Sequence, residues 1–207
     1  MNQISKDIIS IDDARLFIFE ITESVEVLFR QLDFVDSIEF SKLVSDKRKK
    51  EYLGVRIALK LLLGVEKTIQ YDTERKPTLS DNSFQISVSH SGSWIAVMVH
   101  PTRPVGIDIE VPTTKIQNIY KRFLNETEQT AFANGENLNQ LLLAWSGKEA
   151  LYKIIGKEAV DFAKQLHLFP FENKKEGTFN AEHIPTKQKY QLHYIQNESY
   201  TLVYCIG

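Results

Sequence analysis

Apolar residues recur at helical spacing in two long stretches of the chain. Over residues 45–63 (SDKRKKEYLGVRIALKLLL), Tyr52, Val55, Leu59 and Leu62 follow a helical period, and Gly64 stands where a helix would stop. Residues 138–155 (LNQLLLAWSGKEALYKII) show the same pattern, and Gly156 follows. A third helix is predicted over residues 114–133. Strand signals come in pairs. Residues 84–89 and 94–99 flank the polar turn His90-Ser91-Gly92-Ser93, and residues 190–195 and 200–206 flank Gln196-Asn197-Glu198-Ser199. Residues 16–21 suit one further strand.

Each half of the chain therefore runs helix, glycine, loop, hairpin. This is a weak repeat in the order of elements rather than in identity. The change-over falls near His100-Pro101-Thr102-Arg103-Pro104, where two prolines interrupt regular structure. The expected architecture is α+β in two similar lobes, residues 1–103 and 104–207. A cleft between such lobes would be the natural place for a ligand.

Composition narrows the function classes. The chain has 207 residues, 43% hydrophobic and 25% charged, with a formal net charge of -2. That balance suits a soluble globular protein and gives no overall basic signature of nucleic-acid binding. The single cysteine, Cys205, excludes an intrachain disulfide. It lies in an apolar run and reads as a buried strand residue rather than a nucleophile. The first residues lack the shape of a signal peptide, and no apolar run approaches a transmembrane length. A cytoplasmic protein without membrane or nucleic-acid partners is expected.

Four constellations could carry chemistry. The first is Val105-Gly106-Ile107-Asp108-Ile109-Glu110, an alternating strand. Side chains two apart on a strand share a face, about 6.6–6.8 Å apart. Ile107 and Ile109 are then expected to face the core, with Asp108 and Glu110 together on the other side. Such a pair is either a solvated strand face or a cation site, because adjacent carboxylates repel unless a cation lies between them. Hard oxygens suit Mg²⁺ or Ca²⁺. Taken alone, an Asp-x-Glu pair favours the solvated face; its place directly after the lobe junction keeps the cation site open as the other reading.

The second is Trp145-Ser146-Gly147-Lys148-Glu149-Ala150-Leu151-Tyr152-Lys153. On a helix Trp145, Glu149 and Lys153 share one face. That face is neither a clean core stripe nor a clean solvent stripe, as the wall of a binding site would be. Glu149 could complete a three-carboxylate metal site, and Lys148 and Lys153 could meet phosphates. The plainer alternative is an exposed Glu–Lys pair. The third is Ser89-His90-Ser91-Gly92, either an ordinary turn or a set of donors for a phosphate. The fourth is a dispersed basic set: Arg48, Arg56, Lys60, Arg75 and Lys76. Arginine offers phosphate a fork and lysine a point charge. The run Lys47-Arg48-Lys49-Lys50 is either an anion site or a solvated first helical turn.

Taken together, Lys76-Pro77, Ser89-His90-Ser91, Gly106-Ile107-Asp108-Ile109-Glu110 and Trp145-Ser146-Gly147-Lys148-Glu149-Ala150-Leu151-Tyr152-Lys153 resemble the motifs of the larger, two-lobed, Sfp-type 4′-phosphopantetheinyl transferases, in the family's order. The resemblance covers residues 47–157. The family has glycine where this chain has Arg75. Residues 166–207 carry no family motif and read as the closing hairpin of the second lobe.

The resemblance implies a pseudo-twofold pair of lobes. It implies Mg²⁺ held by Asp108, Glu110 and Glu149 on the diphosphate of coenzyme A. A serine of an apo carrier protein would attack, and 3′,5′-ADP would leave. Glu149 or a water would take the proton, and Lys153 would stabilise the diphosphate. His90 with Arg56 would hold the 3′-phosphate, Lys76 and Ser89 would line the nucleotide pocket, and Lys148 would approach a phosphate. Glu128 lies where many members carry a glutamate after an Arg-Phe pair. A monomer is expected, and the basic and apolar stretch 115–123 is expected to meet the carrier. A Mg²⁺-dependent nucleotide hydrolase and a coenzyme A-binding module without activity are the other two readings.

Overall fold

The computed structural model of the chain describes residues 8–73, 75–132, 136–156 and 160–207. The chain forms two compact units, Met1–Thr102 and Arg103–Gly207.

In the first unit, β1 (Ile8–Ile11) and β2 (Ala14–Glu20) are followed by the short helices α1 (Val25–Phe29) and α2 (Ser37–Ser41) and the long helix α3 (Asp46–Leu63). The strands β3 (Ile69–Tyr71), β4 (Pro77–Leu79), β5 (Gln85–Ser91) and β6 (Trp94–His100) complete it. An antiparallel sheet runs in the order β1-β2-β6-β5, with β3 and β4 as a separate pair. The ends of α3 are those expected. Ser45 Oγ accepts the Arg48 backbone N–H (3.3 Å), and Gly64 closes the helix at φ 75°. Leu53, Ile57 and Leu62 of α3 pack with Phe17, Phe19, Ile95 and Val97 from the sheet.

In the second unit, β7 (Val105–Glu110) leads through a 3-10 turn (Thr114–Asn118) to α4 (Tyr120–Phe123) and α5 (Glu126–Ala131). The long helix α6 (Leu138–Ile155) comes next, then α7 (Phe162–Gln165), β8 (Leu166–Leu168), β9 (Glu176–His183), β10 (Gln188–Gln196) and β11 (Thr201–Ile206). The sheet is antiparallel in the order β7-β11-β10-β9-β8. Residues 166–207 thus supply four strands where a hairpin was expected. The predicted helix over 114–133 is three short pieces. Leu124 is extended, and Asn125 starts a new helix through a capping box with Glu128. The predicted end at Ala133 lies outside the described residues.

Helix α6 packs against β7 and β11. Gly106 makes this approach possible, because a Cβ there would lie 2.0 Å from the Ala150 carbonyl oxygen. Gly106, Asp108 and Glu110 share one face of β7, so this same face lies under α6. Ile107 and Ile109 are buried as expected, but the face of Asp108 and Glu110 is covered as well. Asp108 and Glu110, not Ile107 and Ile109, point to the side where α6 lies. Ile107 and Ile109 are also fully buried, so the strand is covered on both faces. Among the described residues no helix is long and apolar enough to cross a membrane.

Candidate active site

Trp145, Glu149 and Lys153 lie one turn apart on α6, and the sequence folds this face onto β7. Trp145 Nε1 donates to Glu110 Oε1 at 3.2 Å. Lys153 Nζ donates to the Ile107 carbonyl at 2.7 Å and to Asp108 Oδ1 at 2.9 Å. Asp108 is 4% exposed, and Glu110, Glu149 and Lys153 are half-buried. Glu149 stands between these contacts. Burial, reinforced by the charges of Asp108 and Glu110 and opposed by Lys153, pushes its carboxyl from 4.5 up to about 7.

Burial is the first cause of that shift, and the negative charges of Asp108 and Glu110 add to it. The donors are hard oxygens, and a divalent cation is the group that such a charge excess favours. Among the described residues no group of three or more His, Cys, Asp or Glu side chains is placed to hold a metal ion. An open set fits Mg²⁺, which commonly takes one or two protein carboxylates and completes its octahedron with substrate phosphates and water. Asp108, Glu110 and Glu149 thus fit the ion by charge and donor type.

The raised carboxyl has a consequence for stability. In the folded chain Glu149 stays protonated up to about pH 7, whereas an unfolded chain ionises it above about 4.5. The folded state then holds the extra proton between those values, so stability falls as pH rises through that window. In chelator, Glu149→Gln is expected to remove this slope. At pH 8 the variant should exceed the parent by on the order of 1–2 kcal/mol in urea unfolding. Parallel pH profiles for the two proteins would contradict the assigned environment.

Lys148 is the main correction to the expected site. It is 0% exposed and turned into the core rather than toward a phosphate. Its Nζ donates to the carbonyls of Phe123 (2.7 Å), Phe162 (2.9 Å) and Leu166 (2.8 Å) and to Glu128 Oε2 (2.6 Å). Glu128 also accepts the N–H groups of Asn125 (2.9 Å) and Leu168 (2.7 Å). Burial lowers the Lys148 pKa, and the Glu128 charge opposes that. The pair staples α6 to α4, α5, α7 and β8. Glu128 thereby gains a structural role. Cys205 is buried on β11 with its thiol pushed up by burial, as a core residue.

The remaining candidates lie on the first unit. Ser89 is buried and His90 exposed on β5, which continues to Ser91, so the turn shrinks to Gly92-Ser93. His90 Nδ1 lies 3.4 Å from Glu51 Oε1, and Arg48 Nη1 donates to Glu51 Oε2 at 2.9 Å. Glu51, not singled out in the sequence, is therefore the group that orients this region. Arg75 takes φ 62°, a left-handed conformation that glycine adopts without cost. The neighbouring Lys76 N–H donates to Asp72 Oδ1 at 2.8 Å. Lys60 is tied to Asp33 and Glu66. The Arg56 guanidinium stacks on Tyr52, 3.3 Å from the ring centroid.

The model of the 4′-phosphopantetheinyl transferase superfamily matches residues 104–205, nearly the whole second unit and every residue of the α6–β7 face described above. The second unit is thus similar to this superfamily. It is also 32% identical over 141 residues to a 4′-phosphopantetheinyl transferase of Bacillus subtilis, a match covering 66% of this chain and 60% of the relative. It is 36% identical over 93 residues to the 4′-phosphopantetheinyl transferase Sfp of Bacillus subtilis (strain 168), covering 44% of this chain and 40% of that relative. The matches thus span about half the length of these two relatives. Within the superfamily segment, the acids on β7 and the glutamate on α6 sit on one surface.

Proposed function

We propose that this chain transfers the 4′-phosphopantetheine arm of coenzyme A to a serine of an apo acyl or peptidyl carrier protein, as a holo-carrier-protein synthase. The observation that carries the reading is the face shared by Asp108, Glu110, Glu149 and Lys153. Burial and the neighbouring Asp108 and Glu110 raise the Glu149 carboxyl to about 7. Asp108, Glu110 and Glu149 would hold Mg²⁺, which when bound neutralises charge on the diphosphate.

The serine oxygen forms a bond to the β-phosphorus of coenzyme A. The bond from that phosphorus to the bridging oxygen breaks, and 3′,5′-ADP leaves with the electron pair. The serine proton goes to Glu149 or to a water beside it, the two bases that the site offers. Lys153 presents its ammonium to the diphosphate. Two of its three N–H groups are held by Ile107 and Asp108, which fixes the direction of the third. His90, Ser89 and Lys76 are proposed contacts for the nucleotide end.

The test is release of 3′,5′-ADP from coenzyme A and Mg²⁺, with and without apo carrier. Release only with carrier supports transfer. Release without carrier would replace this reading by hydrolysis.

For the carrier we propose the surface around Lys115, Lys121 and Arg122, all exposed. Charge reversal at Lys121 and Arg122 together is expected to raise KM for the carrier about tenfold while leaving kcat within about twofold, as loss of ground-state attraction would. An unchanged KM would remove this surface from consideration.

A further inference from the structure

Glu149 has a neighbour one turn away in each direction along α6, and each of these two side chains holds one of the β7 acids. Lys153 Nζ donates to Asp108 Oδ1 at 2.9 Å, and Trp145 Nε1 donates to Glu110 Oε1 at 3.2 Å. The two donors differ in charge. Lys153 brings a positive charge to Asp108, whereas the indole N–H fixes the direction of Glu110 and adds no charge. Glu110 is the last residue of β7, and its side chain has one more torsion to fix than that of Asp108. The indole is itself held. The Phe123 ring of α4 meets it edge-on, with centroids 5.1 Å apart and planes at 67°. The Phe162 ring of α7 lies 5.9 Å away at 39°. Phe123 is fully buried, and the backbone carbonyls of Phe123 and Phe162 accept Lys148 Nζ at 2.7 and 2.9 Å. The clamp on Trp145 is therefore anchored in the core, and the N–H that reaches Glu110 comes from a rigidly placed group.

We propose that Trp145 is a positioning residue that holds Glu110 by one oxygen and so makes the cation site prefer Mg²⁺ over Ca²⁺. A carboxylate tied in this way resists turning both oxygens to one ion. Mg²⁺ is small and demands near-octahedral geometry, which the narrow bite of a bidentate carboxylate distorts. Ca²⁺ is larger, takes more oxygens in a flexible geometry, and accepts carboxylates through one oxygen or both. Groups that orient a metal's ligands commonly change its affinity about 10- to 100-fold. Trp145 has this role only where Asp108, Glu110 and Glu149 hold the cation, as proposed above for transfer.

The experiment is Mn²⁺ binding to the full chain in the presence of coenzyme A and without carrier, read by electron paramagnetic resonance of free Mn²⁺. Coenzyme A alone is the blank, and Mg²⁺ and Ca²⁺ are the competitors. Like Mg²⁺, Mn²⁺ suits octahedral oxygen sites. Trp145→Phe keeps a ring against Phe123 and Phe162 and removes the N–H. It is expected to weaken Mn²⁺ and Mg²⁺ about tenfold and Ca²⁺ less than about twofold, so that the preference for Mg²⁺ over Ca²⁺ falls at least about fivefold. Phe162→Leu loosens the clamp and leaves the N–H in place. A fall in that preference of about two- to threefold is expected there, which keeps the test decisive if Trp145→Phe fails to fold. A ratio of Mg²⁺ to Ca²⁺ affinity unchanged in the folded variants would overturn the role of Trp145. So would an equal loss for all three ions, the mark of a merely structural residue. No Mn²⁺ binding by the parent beyond the blank would overturn the cation site itself, and the role of Trp145 with it.

Discussion

Asp108→Asn and Glu149→Gln are each expected to slow transfer at least about a hundredfold while the protein stays folded. Both changes keep side-chain volume and remove one negative charge. Asparagine at 108 still offers an oxygen to Lys153, which holds that position at 2.9 Å. The β7–α6 contact rests on Gly106 and the surrounding core, so it should survive. What is lost is the charge that a divalent cation requires and, for Glu149, one of the two bases that can take the serine proton. Glu110→Gln should behave similarly, because Trp145 Nε1 already bonds one of its oxygens at 3.2 Å. Lys153→Met should lower the rate with a smaller change in metal dependence, since its ammonium acts on the phosphates. The measurement is the rate of phosphopantetheine transfer at several Mg²⁺ concentrations, beside a thermal melt. Parent-like turnover in well-folded Asp108→Asn would remove the metal assignment.

Lys148→Met is expected to cost about 3–5 kcal/mol of stability, because it strands Glu128 as a buried charge. It also leaves the carbonyls of Phe123, Phe162 and Leu166 without their shared donor. For a chain of this length the melting temperature should fall on the order of 10 °C. Glu128→Gln should cost less. Its amide oxygen can still accept an N–H from Asn125 or Leu168, although the ion pair is gone. These two variants separate a structural from a phosphate-binding role for Lys148. A Lys148→Met protein that melts within about 2 °C of the parent but transfers poorly would return Lys148 to the diphosphate.

The ends of the two long helices were legible because capping is local. Ser45, Gly64 and Gly156 act on atoms within a turn of themselves. The strand carrying Asp108 and Glu110 was equally plain from alternation. Which side of that strand meets α6 was not, since both faces are buried and the choice depends on Gly106 touching Ala150. The grouping of Glu149, Lys153 and Trp145 followed from helical periodicity alone. The inward turn of Lys148 did not, because its partner Glu128 lies 20 residues away on an element the sequence merged into one long helix. The extended Leu124 and the Asn125 cap divide that helix, and the Asn-x-x-Glu spacing was the signal available. Strand β9 was hidden by its polar alternate positions.

The most direct test of the account is the intact mass of a purified apo carrier protein after incubation with this chain, coenzyme A and Mg²⁺. The account predicts a gain of one phosphopantetheine on the carrier serine, lost when the metal is chelated and when Asp108 is replaced by asparagine. A gain that persists in chelator, or no gain with any carrier class despite coenzyme A binding, would contradict it.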